Sequence, residues 1–139
     1  MGLDIYTTDD EKNFHIGYIS FSNMRGLFIL AHDETSYKLY NTILKNLFMP
    51  QIEINKLYDI IFSQIGDLKI LIDHSDCDGT LTSEECRKLK PCLIVDEEKI
   101  MSVSKVENLG YYKRIIEKMY RFIDIVDYAA VNNVDLIFG

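Results

Sequence analysis

The chain has 139 residues, 47% of them apolar, with nine tyrosines, seven phenylalanines and no tryptophan. That suits one domain, residues 1–139, built around a single aromatic-rich core. Acidic residues outnumber basic ones by 22 to 15, for a net charge of −7, so the basic footprint that phosphate neutralisation demands of a nucleic-acid binder is missing.

No run of about 18 apolar residues offers a membrane span. The start, Met1 to Tyr6, lacks the basic and apolar regions of a signal peptide, and Tyr6 stands where N-myristoylation needs Ser or Thr. The expected location is the cytoplasm. Three cysteines cannot all pair within one chain, and that compartment favours free thiols.

Leu3 to Thr8 alternates apolar and polar residues and predicts a strand. Thr8 to Asn13 is a polar turn. Phe14 to Phe21 is a second strand or the approach to a helix, and the two segments can form a hairpin. Ser22 or Asn23 is the expected cap of a helix through Ala31, with Leu27 and Phe28 inward and Gly26 weakening its middle. After the polar break His32-Asp33-Glu34, a helix starts at Thr35 or Ser36 and runs to Phe48, where Met49-Pro50 ends it. Asn55 caps a third helix to about Ile65 on the stripe Leu57, Ile60, Ile61 and Ile65, closed by Gly66-Asp67.

Leu68 to Ile72 is short and apolar, and its period fits strand and helix alike. A helix from Ser83 to about Leu93 follows the Thr82/Glu85 capping box, with Pro91 kinking or ending it. Val95 to Lys99 is an acidic link. Lys105 to Asn132 carries Ile115, Met119, Phe122, Ile123, Val126 and Ala130 on one helical stripe. Asn132-Asn133 stops it, and Val134 to Phe138 is a final strand that pairs with Leu3 to Thr8. The expected fold class is α+β, with four to five helices packed on a small sheet formed by the N- and C-terminal strands.

The densest chemistry lies in Asp73 to Cys86, which holds one of three histidines, two of three cysteines and five carboxylates. A calcium loop, D-x-[DN]-x-[DN]-G-x5-E, is its nearest template. Gly79 takes the glycine position, and Asp76, Asp78 and Glu85 become the metal ligands for Ca or Mg, but His74 occupies the first position, where an oxygen is needed. Zinc on His74, Cys77 and Cys86, with Asp76 or Asp78 as fourth ligand, ranks behind it. The reading placed first is a rigid loop without metal. In it Gly79 takes positive φ, Cys77 and Cys86 pack as small apolar groups, and Thr82 and Glu85 belong to the capping box.

Catalytic motifs are weak. Cys77 with His74 makes a poor nucleophile and base at that spacing, and His15 and His32 are isolated. The sequence contains no Gly-rich phosphate loop, G-x-S-x-G or H-E-x-x-H. Phe14 to Arg25 is the second candidate segment, because aromatic faces beside an arginine can hold a planar ligand and its phosphate. A core strand leading into a helix is the plainer alternative.

Three patches resemble a group of small bacteriophage and bacterial proteins. They are the Met-Gly-Leu-Asp start at Met1 to Asp4, the motif His-Ser-Asp-Cys-[Asp/Glu]-Gly-x-Leu-Thr-x-Glu-Glu-Cys at His74 to Cys86, and Ala129-Ala130-x-Asn132-Asn133-x-x-Leu136-x-Phe138. Gly17, Tyr18 and Phe21 match a further aromatic patch, after which that group carries basic residues; here Ser22 follows and the nearest arginine is Arg25. The resemblance implies an accessory phage or prophage protein acting in the host cytoplasm, with counter-defence as one role, and brings no enzymatic activity. The expected function is a non-enzymatic binding protein that sequesters a small nucleotide-like signal or blocks a host protein. Its ligand-binding residues are Tyr18, Phe21, Arg25, His74 and Asp76. The alternatives are a divalent-cation module and a metal-assisted hydrolase. The expected partner is a small molecule or a host protein, with a homo-oligomer left open.

Overall fold

A computed structural model describes residues 2–139, except for the side chain of Val106. β1 (Gly2–Thr7) and β2 (Asn13–Gly17) form an antiparallel hairpin in register from Gly2–Gly17 to Tyr6–Asn13. Alternation turns Leu3, Ile5, Phe14 and Ile16 into the core. The buried hydroxyl of Thr7 organises the connection: it donates to Asp9 Oδ1 at 2.6 Å and accepts from the Lys12 N–H at 3.1 Å.

β4 (Leu136–Phe138) pairs antiparallel with β1, as the terminal patterns predict. A two-residue strand from the central loop, β3 (Thr80–Leu81), adds to its other side, which the sequence pattern does not announce. The sheet order is β2-β1-β4-β3.

α1 (Tyr18–His32) runs through the centre. Met24 to Leu30 are all buried, so the helix is enclosed on every side. It begins at Tyr18, straight from β2, rather than under a cap at Ser22 or Asn23. The carboxamide of Asn23 donates instead to the Tyr111 hydroxyl at 2.8 Å.

α2 (Glu34–Lys45) starts one or two residues before the expected position and is capped by Asp33. The Asp33 carboxylate accepts from the Ser36 hydroxyl at 2.6 Å and its N–H at 3.0 Å, and those bonds hold its pKa below the ordinary value. α2 ends at Lys45, short of Phe48. α3 (Gln51–Ile65) begins directly after Pro50, whose fixed φ of −57° suits a helix start, so Asn55 lies inside the helix. Gly66 at φ +56° closes it.

The ambiguous apolar run is helical: a 3-10 turn at Gly66–Leu68 leads into the single turn α4 (Lys69–Ile72). α5 (Ser83–Leu89) tightens into a 3-10 turn at Lys90–Cys92, where Pro91 lies. The expected acidic link contains the start of α6 (Glu97–Val103), capped by Asp96 and anchored by buried Ile100. A 3-10 turn precedes α7 (Leu109–Asn132), which Asn133 stops at φ 54°.

The fold is α+β. Among the described residues six helices are longer than a single turn, beyond the expected four to five because α6 starts within the expected acidic link. Phe122 of α7 joins sheet and central helix, with ring centroids 5.7 Å from Phe14 and 6.2 Å from Phe28. No helix among the described residues is long and apolar enough to cross a membrane.

Candidate binding cleft

Position 25 carries a charged residue on the fully enclosed stretch of α1. Arg25 is only 9% exposed. Its guanidinium lies 4.5 Å over the Phe21 ring, one turn earlier on the helix. Nη1 donates to the carbonyl of His74 at 2.8 Å. Nε is buried and has no hydrogen-bond partner. No carboxylate among the described residues forms a salt bridge with Arg25. A buried charge left in this state is costly unless something outside the chain completes it.

Arg25 lines a cleft of about 460 Å³, a size within the range of small-molecule sites. α3 supplies one wall through Asn55, Tyr58, Asp59 and Phe62, at the i, i+3, i+4, i+7 spacing of a single helix face. Tyr58 and Phe62 stack at 5.5 Å and 24°. Burial raises the Tyr58 pKa, and the Arg25 charge pulls it the other way. The opposite wall is the central loop, Asp73 to Asp76.

The loop is held from several sides. His74 packs its ring 4.2 Å from Phe138 of β4. Its Nδ1 faces the Ser75 carbonyl at 2.7 Å and its Nε2 the Thr80 carbonyl at 3.0 Å. A neutral ring has one N–H and satisfies one of these oxygens; the imidazolium satisfies both. Ser75 Oγ accepts from the N–H groups of Cys77 and Asp78 at 3.2 and 3.3 Å. Gly79, at φ +92°, makes the turn back into β3, and its carbonyl accepts from the Phe138 N–H at 2.9 Å.

Of the expected ligand-binding residues, Arg25, His74 and Asp76 line this one cleft. Phe21 lies beneath Arg25 and is fully buried. Tyr18 is half-buried against the core and does not line the cleft.

The metal candidates Asp76, Asp78 and Glu85 are not brought together. Among the described residues no three His, Cys, Asp or Glu side chains form a group able to hold a metal ion. Glu85 closes the capping box, its Oε1 accepting from the Thr82 N–H at 3.0 Å while Thr82 Oγ1 accepts from the Glu85 N–H at 3.1 Å. The zinc set is likewise separated, because Cys86 is buried in the core and Cys77 is exposed. Cys77 therefore does not pack as an apolar group, since Gly79 and the Ser75 turn direct that stretch outward. Burial pushes the Cys86 thiol up to about 12. His15 and His32 stand elsewhere, against Asp4 and the Cys92 carbonyl.

The α3 wall is not among the expected site residues, because the aliphatic stripe of α3 dominates its pattern and Asn55 resembles a cap. The signal was the polar and aromatic stripe at 55, 58, 59 and 62, on a helix whose Ile60 is half exposed. Comparison of the chain with protein-family models, curated proteins and solved structures finds no match.

Proposed function

We propose that this chain is a non-enzymatic accessory binding protein of the phage type, holding a small, nucleotide-like molecule in the Arg25 cleft. The observation that carries the reading is a cleft of small-molecule size lined by Arg25, a cation with no carboxylate partner among the described residues. A ligand oxygen that meets the guanidinium from the cleft side makes a charge-assisted hydrogen bond. Tyr58 offers a ring face for stacking, and Asp59, Asp73 and Asp76 offer acceptors for ligand N–H groups. Three carboxylates in the lining turn any phosphate of such a ligand away from themselves, toward the open side of the cleft. They suit the edge of a planar heterocycle that alternates carbonyl oxygens with N–H donors.

The test is a thermal-shift and calorimetric screen with nucleosides, cyclic dinucleotides and ADP-ribose derivatives. Binding that Arg25→Met abolishes, with the ligand recovered intact, supports sequestration. Conversion of the ligand replaces it with the hydrolase alternative. No binding by any of these classes contradicts the reading.

The second reading, blockade of a host protein, has an observation of its own. The α2–α3 connection exposes Leu47 at 87%, Phe48 at 97% and Ile52 at 66%. Neighbouring apolar side chains this open are characteristic of protein contact sites. Pull-down from host lysate with wild type and with the Leu47→Asp/Phe48→Asp variant tests it; a partner retained equally by both rules out this tip as the contact.

A further inference from the structure

The opposite side of α1 borders a second cavity, of about 330 Å³. Four helices border it, α6 through Val103 alone and the others mainly through residues one turn apart. Asn23 and Leu27 come from α1, and Tyr37, Asn41 and Lys45 from α2. Asn108 and Tyr112 come from the start of α7, with Lys105 just before it. In a protein of net charge −7, this lining contains no carboxylate and two lysines. Neither lysine has a salt-bridge partner among the described residues. The 24-residue helix α7 starts here with no acidic residue in its own first turn and no side-chain cap; Glu107, in the 3-10 turn before it, does not line the cavity. Burial raises the Tyr112 pKa, and nearby Tyr37 and Tyr111 add to it, which places these phenols close together.

The geometry points to this cavity as a binding site for a small phosphorylated organic molecule of mononucleotide size. The phosphate lies between Lys45 and Lys105, and the ring lies along Tyr37 and Tyr112. The two lysines supply mobile charge to the dianion. The carboxamides of Asn41 and Asn108 both donate and accept, as the edge of a base requires. Aromatic faces accept any base by stacking. The site is separate from the Arg25 cleft, with which it shares no lining residue, so the fate of one proposal does not decide the other.

The experiment is calorimetric titration of the full chain with adenosine 5′-monophosphate and cytidine 5′-monophosphate, with adenosine and ribose 5-phosphate alongside. Lys45→Glu and Lys105→Glu are made singly and together. Both positions are exposed, and melting curves check that the variants fold; Asn41→Asp serves as a second probe. The expected result is saturable binding of a monophosphate, weaker binding of adenosine and of ribose 5-phosphate, and a loss of about tenfold or more per lysine. Affinity for the monophosphate falls as salt is raised. Absence of saturable monophosphate binding, or equal affinity in the double lysine variant, overturns the assignment.

Discussion

Nη1 of Arg25 donates to the main-chain carbonyl of His74 at 2.8 Å, tying the centre of α1 to the start of the acidic loop. This bond makes the arginine a strut for the loop as well as a wall of the cleft. Two variants separate the packing of its stem from the polar contacts of its head. Arg25→Met keeps the stem but loses the bond to the His74 carbonyl, at an expected cost of about 1 kcal/mol. Arg25→Ala also removes the packing on Phe21 and is expected to cost about 2–3 kcal/mol. Chemical denaturation of the two variants distinguishes these outcomes.

Gly79→Ala is expected to lower stability by about 1–2 kcal/mol. The backbone there is at φ +92°, and the added carbon would meet the His74 ring at 3.4 Å. Gly17 has φ −64° and open space around it, so Gly17→Ala is the near-neutral control.

Calcium or magnesium at millimolar concentration is expected to leave the melting temperature unchanged. Asp76, Asp78 and Glu85 do not converge, and the Glu85 carboxylate already accepts from Thr82. Bound metal would raise the transition by mass action. A rise reversed by chelator restores the cation module. Thr82→Ala, by contrast, should cost about 1 kcal/mol through the lost cap, with or without metal.

Much of this arrangement was legible in the sequence, for reasons particular residues make plain. The Thr82 and Glu85 pair specified its cap outright, because both partners are three residues apart and the geometry is local. The stripe from Ile115 to Ala130 specified α7. The Phe21, Arg25 and His74 assembly was visible only as two separate candidate segments. What joins them is one contact between residues 49 positions apart, and no local pattern records it. Helix starts were misplaced where a better local signal sat a few residues upstream, Asp33 before Ser36 and Pro50 before Asn55. The start of α6 was hidden because its acidic first turn resembles a linker.

The three thiols should react in a fixed order. Cys77 is exposed and labels first. Cys92 is partly buried, and burial raises its pKa, so it labels slowly. Cys86 labels only on unfolding, being buried with its thiol pushed up to about 12. Mass spectrometry of a timed alkylation reads the order.

Stability should fall at high pH through Tyr40. Burial pushes its pKa up to about 12, against the opposing pull of Arg25. A raised folded-state pKa contributes stability that is complete below the unfolded value of about 10. That contribution is lost as pH rises from there toward 12. The Tyr40 hydroxyl donates to the Ser22 carbonyl at 3.1 Å, so Tyr40→Phe lowers neutral-pH stability by about 1 kcal/mol and flattens the alkaline decline. At the acid end, Thr7 and Tyr128 lower the pKa of Asp9 and Ser36 lowers that of Asp33. Their contributions are present above the unfolded carboxylate range and fade as pH falls below it. Melting curves across pH for both proteins check the signs.

The central claim concerns the Arg25 cleft, and the most direct measurement is calorimetric titration of wild type and Arg25→Met with a nucleoside or cyclic dinucleotide that shifts the melting curve. The account predicts saturable binding at this cleft in wild type and its loss in the variant, with a cooperative melting transition in both unliganded proteins. Equal binding by both proteins would contradict it, as would a screen in which no such ligand shifts the wild-type curve.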